Sequence, residues 1–301
     1  LGISNSFNSS ALNPKPETYT PFELELIDQL LSLALREDLG DGDHSSLACI
    51  PSNTPQKARL LVKEAGIISG IDIARKVAAA VDPSLKMEVR IHDGASIQPG
   101  DIAFYLEGPA VSILSAERLM LNIMQRMSGI ATHTHRLVKR IEGTHARLLD
   151  TRKTGPGMRV LEKRAVLHGG GFNHRMGLYD MIMIKDNHAD YAGGVEHAID
   201  RVHAYLKDLG KPLPIEVEAR TLDEVQRICS KGGIQRIMLD NFSPNAIREA
   251  LKIIQNRFET EASGGIREHN LREYAETGVD FISVGALTHQ VQSLDLSLKA
   301  C

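Results

Sequence analysis

From Ala146 onward one pattern repeats: a short apolar run ends in polar or glycine residues, and a helical pattern usually follows. The runs are RLLDTRKT, MIMIKDNH, PIEVEART, RIMLDNF, ETEASGG and DFISVGALT; LDEVQRICSKG, PNAIREALKIIQNRF and LREYAETG are helical stretches between them. Strands alternating with helices mean parallel βα units, because a parallel neighbour is reached only by a crossover. The series predicts a parallel α/β barrel, TIM-like with fewer than eight strands; an open doubly wound sheet is the other arrangement of the same pattern. In both, ligands sit at the carboxyl ends of the strands. Those ends carry Arg152, Lys153, Lys185, Glu218, Asp240 and the pair Gly264–Gly265.

The chain before this series has another texture. FELELIDQLLSLALREDL, residues 22 to 39, has helical apolar spacing at Leu24, Ile27, Leu31 and Leu35, and Gly40 ends it. A strand (ARLLVKEAG), a helix (IDIARKVAAAV) and a turn-rich β region with Asp-Gly and Pro-Gly dipeptides follow. Next, SAERLMLNIMQRMSG reads as a helix capped by Ser115 and stopped by Gly129, with a second helix to about Gly143. The expected division is a loose polar arm over 1–21, an α+β domain over 22–120 completed by the tail 288–301, and the barrel over 121–287.

Charge distribution points to an anionic ligand. The net charge is only −3, yet eleven Lys and Arg lie between Arg136 and Lys185, opposed by four acids, Glu142, Asp150, Glu162 and Asp180. A basic block in an acidic chain suits an anion held at one place, although a solvated helix face reads similarly. Only Phe172 and Tyr179 could stack on bases there, which argues against nucleic acid. No apolar run approaches the ~18 residues of a membrane span. Cys49, Cys229 and Cys301 are far apart and form no CxxC pair, so a reducing, cytoplasmic setting without a disulfide framework or zinc site is expected.

Individual motifs sharpen this. DTRKT, Asp150 to Thr154, sets two cations and two hydroxyls just past a strand, where arginine can hold a carboxylate or phosphate through two hydrogen bonds. HGGGFNHRMGL, His168 to Leu178, has three glycines that permit a sharp turn or close backbone approach, then His174 and Arg175. Strand-end Glu218 and Asp240 could bind Mg²⁺ or stabilise a developing cation. Glu216 points to the same side as Glu218, and the position nearer the strand end favours Glu218 as the ligand-facing acid. Ser263-Gly264-Gly265 and Val284-Gly285-Ala286 end the last two strands, where barrels commonly hold a phosphate on backbone N–H groups.

Assembled, these residues resemble the quinolinate phosphoribosyltransferases, also called carboxylating nicotinate-nucleotide pyrophosphorylases. The resemblance runs from about Phe22 onward on ALREDLGDGDHSS, AERLMLNIMQRMSGIAT, DTRKTGPGMR, HGGGFNHRMGL, MIKDNH, EVE, LDNF, EASGGI and VGALTH. Gly155 stands where the family pattern more often has Thr. The resemblance implies transfer of a phosphoribosyl group from phosphoribosyl pyrophosphate to quinolinate, with loss of carbon dioxide and Mg²⁺ as cofactor. Arg152, Lys153, His174, Arg175 and Lys185, with Thr151 beside them, would line the pocket for quinolinate and the phosphates. Glu218 and Asp240 would face the ribose and the Mg²⁺, and Ser263 to Gly265 with Val284 to Ala286 would hold the 5′-phosphate. Lys153, Lys185, Glu218 and Asp240 would act on the reacting atoms. Arg118 would reach the partner subunit's site in a homodimer.

The competing readings are a barrel lyase with Lys185 as a Schiff-base nucleophile, a sister phosphoribosyltransferase of the same fold, and a non-catalytic anion- or RNA-binding module. The carboxylates inside the basic site argue against the last.

Overall fold

The first helix, Pro21–Leu39, starts where its sequence makes starting cheap. Thr20 accepts from Glu23 N (3.2 Å), Glu23 Oε2 accepts from Thr20 N (2.7 Å), and Pro21 is first in the helix with no N–H to satisfy. A computed structural model describes residues 18–51 and 54–301. Of the arm expected over 1–21, residues 1–17 lie outside the described residues. Thr18 to Pro21 are tied down: Arg164 donates to Thr18 O at 2.9 Å and stacks 4.2 Å over the Tyr19 ring.

Contacts divide the chain into two units. One takes in the described residues up to Arg136 together with Lys153–Gly171 and Leu287–Cys301; the other holds Leu137–Arg152 and Phe172–Ala286. The first unit contains strands β1 (Pro55–Val62), β2 (Gly66–Ile67), β3 (Lys86–Val89), β4 (Ser96–Ile97) and β5 (Ile102–Pro109). The second contains β6 (Arg147–Leu149), β7 (Ile182–Ile184), β8 (Ile215–Ala219), β9 (Arg236–Asp240), β10 (Glu259–Ser263) and β11 (Phe281–Ser283). The last strand, β12 (Leu296–Ala300), returns to the first unit, where it pairs antiparallel with β1 in the order β12-β1-β5-β3.

One sequence expectation fails here. The two helices expected on either side of Gly129 are a single helix, Ala110–Arg140, and the expected domain boundary at 120/121 falls inside it. Gly129 does not stop the helix. A Cβ there would strike the Gln292 carbonyl and lie 3.2 Å from Ser293 Cα, so the glycine lets the C-terminal segment cross close to the helix. One residue earlier, Ser128 Oγ accepts from Ser69 N (3.0 Å) and donates to Ser69 O (3.1 Å).

The second unit is a six-stranded parallel sheet in the order β6-β11-β10-β9-β8-β7. Chain order is kept from β7 to β11, and the first strand lies beside the last: β6 pairs with β11 from Arg147↔Phe281 to Ser283↔Leu149. That is the cyclic order of a barrel, with fewer than eight strands. On its other side β6 meets Phe172, whose N–H reaches Leu148 O at 2.8 Å and whose carbonyl accepts from Asp150 N at 3.1 Å. Crossover helices follow β7 to β10, and their caps are written in the sequence. Thr221 accepts from Glu224 N before Leu222–Lys231, and Ser243 accepts from Ala246 N before Pro244–Ile254.

Candidate active site

Strand alternation aims the acidic residues. Glu218 is paired in register with Met238, so Glu218, Met238 and Asp240 share one side of β8 and β9. Lys185 follows β7, and its Nζ lies 3.1 Å from Glu218 Oε2. Glu218 is nearly buried and Lys185 about half exposed, so the pair has one face to solvent. Asp240 Oδ2 accepts from the carboxamide of Asn241 at 2.7 Å, and Asn241 has φ 56°, a left-handed backbone that asparagine tolerates. Three of the expected residues, Lys185, Glu218 and Asp240, thus end three neighbouring strands.

Below them lies a charged group of which the sequence reading named His174 and set Glu216 second to Glu218, but missed Glu261 and Arg236. Glu216 and Glu261 are fully buried, as is Arg236 at 2% exposure. His174 Nε2 sits 3.0 Å from Glu216 Oε2 and 3.3 Å from Glu261 Oε2. Arg236 donates to Glu259 Oε2 (2.9 Å) and Glu261 Oε2 (3.2 Å) and stacks 4.2 Å over Phe281. Burial alone would lower the His174 pKa, but the carboxylates of Glu261 and Glu216 outweigh it and push it up to about 10. Burial raises Glu216, with Glu261 as the next cause; Glu261 itself, supported by His174 and Arg236, is held below the usual carboxylate range. Asp150, wholly buried, accepts the His174 backbone N–H at 2.9 Å. His174, expected to line the substrate pocket, is buried at 7% exposure with its imidazole between two carboxylates.

Arg175 and Arg152 are close enough to feel one another. Burial and then the Arg152 charge lower Arg175, whose Nη1 donates to Met181 O at 3.2 Å. Thr151 and Arg152 follow β6 directly, in the same unit. At the end of β10, Gly264 (φ 91°) and Gly265 (φ 65°) adopt left-handed backbone, and a Cβ on Gly264 would strike the Asn241 carboxamide. Of the triplet Val284 to Ala286, the Val284 N–H is engaged by Leu149 O at 3.0 Å.

Two expected residues belong to the first unit, Lys153 and Arg118. Arg118 is exposed on the long helix, one turn from the exposed Leu114. The apolar residues of that helix, Leu119, Leu121, Ile123, Met124 and Met127, are buried within the chain and offer no second apolar face.

The carboxylates of Glu218 and Asp240 are hard oxygen donors, and each has one oxygen already engaged, by Lys185 and Asn241. Such a pair suits a Mg²⁺ that takes its other ligands from water and substrate phosphates rather than from a protein cage. The buried trio His174, Glu216 and Glu261 has metal-ligand reach, with candidate atoms within 4.8 Å of one another. Arg236 on Glu261 sets a competing cation there.

Comparison with known proteins places this arrangement. The model of the quinolinate phosphoribosyl transferase C-terminal domain matches residues 130–299, and that of the N-terminal domain matches residues 43–128. The chain is 46% identical over 301 residues to a protein of Nicotiana tabacum named quinolinate phosphoribosyltransferase [decarboxylating] 1b, covering 95% of this chain and 84% of that one. It is 43% identical over 300 residues to the chloroplastic nicotinate-nucleotide pyrophosphorylase [carboxylating] of Arabidopsis thaliana, covering 95% and 85%. The solved nicotinate-nucleotide pyrophosphorylase of Francisella tularensis superposes with TM-score 0.88 at 36% identity, covering 96% of this chain and all of that one. Because plant relatives carry organelle names, the cytoplasmic expectation is not carried forward. What holds is that, among the described residues, no helix is long and apolar enough to cross a membrane.

Proposed function

The chain belongs to the quinolinate phosphoribosyltransferase family, and on that premise we propose how its residues divide the work. The enzyme joins quinolinate to phosphoribosyl pyrophosphate and releases pyrophosphate and carbon dioxide, giving nicotinate mononucleotide for NAD biosynthesis. The observation that carries the reading is the grouping of opposite charges at the strand ends: Lys185 after β7 lies 3.1 Å from Glu218 on β8, Asp240 ends the neighbouring β9, and the Arg152 charge reaches Arg175. Guanidiniums near enough to repel suit an adjacent pair of carboxylates, which offsets that repulsion. Carboxylates beside them suit a sugar that turns cationic as its anomeric bond breaks.

Arg152, Arg175, Lys153 and Lys185 bind the quinolinate carboxylates and the phosphates, with Thr151 beside them. His174, held by Glu216 and Glu261, sets the backbone from which Arg175 extends. The ring nitrogen of quinolinate attacks C1′ as the bond to pyrophosphate breaks, and Glu218 and Asp240 stabilise the oxocarbenium character between. Mg²⁺ held through Glu218 and Asp240 would neutralise charge on the departing pyrophosphate. As carbon dioxide departs, the electron pair of the broken bond stays on C2, where the adjacent positively charged ring nitrogen stabilises the carbanion until a proton takes the place of the lost carboxylate. The protein's part is to hold this geometry. Ser263 to Gly265 and the Val284–Ala286 turn hold the 5′-phosphate, and Arg118, exposed on its helix, completes the site of a second copy in a homodimer.

The test is formation of nicotinate mononucleotide from quinolinate and phosphoribosyl pyrophosphate with Mg²⁺, with one carbon dioxide and one pyrophosphate released per product. A phosphoribosylated product that keeps both carboxylates, with pyrophosphate but no carbon dioxide released, would point to a sister transferase. The lyase reading needs a Lys185 nitrogen free to attack, whereas its Nζ lies 3.1 Å from Glu218 Oε2; borohydride trapping of a keto substrate on Lys185 would revive it.

A further inference from the structure

The loop after β6 carries two adjacent cations, Arg152 and Lys153, followed by Thr154 and Gly155-Pro156-Gly157. Like charges side by side repel, and a segment with two glycines has little intrinsic preference for one backbone path. The Lys153–Gly155 segment is nonetheless held at every residue. Thr288 Oγ1 donates to the Lys153 carbonyl at 2.9 Å. The Thr154 hydroxyl accepts from Arg159 Nε at 3.1 Å. Gly155 N–H donates to Glu162 Oε2 at 3.1 Å.

The first and last of these fastenings share one anchor. Glu162 is completely buried, and its other oxygen, Oε1, accepts from Arg126 Nε (2.8 Å) and Nη2 (2.6 Å). The same Nη2 reaches the Thr288 carbonyl at 3.4 Å, and Thr288 is itself fully buried. The contacts form one chain from the Lys153 carbonyl through Thr288, Arg126 and Glu162 to the Gly155 N–H, all within the first unit. A buried ion pair is a poor source of stability, since a well-packed apolar pair of similar volume commonly does as well. What it adds here is a fixed path for the peptide that presents Lys153.

We infer that Glu162 and Thr288 are positioning residues that act through Lys153. The inference rests on the proposed role of Lys153 as a substrate-binding cation. Neither residue touches substrate in this reading; together they set the backbone from which the Lys153 side chain extends. Gly155, where the family pattern more often has Thr, fits the same arrangement, because a Cβ there would come 3.1 Å from Glu162 Oε1.

The test is calorimetric titration of quinolinate into the full-length enzyme, well below the melting temperature. Thr288→Val keeps the shape and loses the hydroxyl, Thr288→Ser keeps the hydroxyl, and Glu162→Gln keeps the shape and loses the charge. Binding groups must be held within roughly 0.5 Å, so Thr288→Val and Glu162→Gln should weaken binding about 5- to 20-fold, with Thr288→Ser within about twofold of wild type. Adding Thr288→Val to Lys153→Ala should cost little beyond Lys153→Ala alone, since the clip has then lost what it positions. A merely structural role would lower melting temperature without moving affinity, or would add its full loss to that of Lys153→Ala; either result overturns the inference. Should Glu162→Gln fail to fold, the Thr288 series decides. Quinolinate affinity unchanged in Lys153→Ala refutes instead the site reading beneath it, and the inference falls with it.

Discussion

Replacing Arg236 with methionine isolates the buried charge group from everything a substrate touches. The guanidinium is 2% exposed, bonds Glu259 and Glu261, and stacks on Phe281. In its absence Glu216 and Glu261, both fully buried, face His174 as their only remaining buried cation among the described residues. Removing one partner of a buried pair costs about 3–5 kcal/mol. At roughly 2–4 °C per kcal/mol, the variant should melt about 6–20 °C below the parent at pH 7.5 by scanning calorimetry. The loss should depend on pH with a definite sign. A carboxylate whose folded pKa lies above its unfolded value takes up a proton on folding, so its penalty is full above the folded pKa and relieved as pH falls through it. Burial already raises Glu216, and removing Arg236 raises it further while lifting Glu261 from its lowered value, so Glu216 should make the deficit shrink from pH 8 towards pH 5.5. His174 titrates the other way in the parent. Raised to about 10, it contributes stability that is complete below its unfolded pKa of about 6.5 and is lost as pH rises through 10. Adding Glu261→Gln to Arg236→Met should restore part of the deficit. A loss under about 3 °C, or one that is flat from pH 5.5 to 8, would refute the reasoning.

Arg175→Ala should weaken quinolinate binding by about 2–5 kcal/mol in titration calorimetry, the cost of truncating one partner of a desolvated charge pair. Nicotinate, which lacks the C2 carboxylate, should be turned over far more slowly than quinolinate, because cations placed for that group are left unpaired; comparable rates would sink the substrate assignment. Arg118→Ala and Lys185→Ala enzymes, each nearly inactive, should recover up to about half a wild-type dimer's activity per mixed dimer when subunits exchange. No recovery despite exchange seen by native mass spectrometry places Arg118 in its own subunit's service. Gly129→Ala should destabilise by about 1–3 kcal/mol although alanine is the better helix former, since its methyl meets the Gln292 carbonyl; an unchanged melting temperature contradicts the close crossing.

The strands and crossover helices of the second unit were legible because period and punctuation agree: short buried-type runs that become strands of three or five residues, each ending in polar or glycine residues, with helical patterns between most of them. Lys185, Glu218 and Asp240 were legible for the same reason, each being the polar residue on which a run ends. Glu261 and Arg236 were not, and Glu216 was set second to Glu218, because a charge inside so short a strand reads as the strand's edge. The signal was present as alternation: Arg236 and Asp240, Glu216 and Glu218, and Glu259 and Glu261 each fall on one side of their strand. Gly129 misled because a glycine after a helical run usually stops it, and nothing local reveals that residues 292 and 293 pass over it. Glu162 misled similarly. In RVLEKRAVLH it looks like a surface charge, and only Arg126 and Gly155, distant in sequence or across a turn, show that it is buried.

Both units close with segments made late. Strand β6 finds its partner in β11, whose residues follow it by more than a hundred positions, and β1 finds one of its two in β12, at the chain's end. A chain emerging from the ribosome therefore has neither sheet complete until β11 and β12 have been made. Until then the edges of β1 and β6 wait with unpaired backbone, the state in which strands find wrong partners. Closure by distant segments is also slow, because the entropy of bringing the ends together must be met before any contact rewards it. Such edges call for shielding until those partners arrive, and a chain cut shortly before Leu294 would leave β1 open along one side.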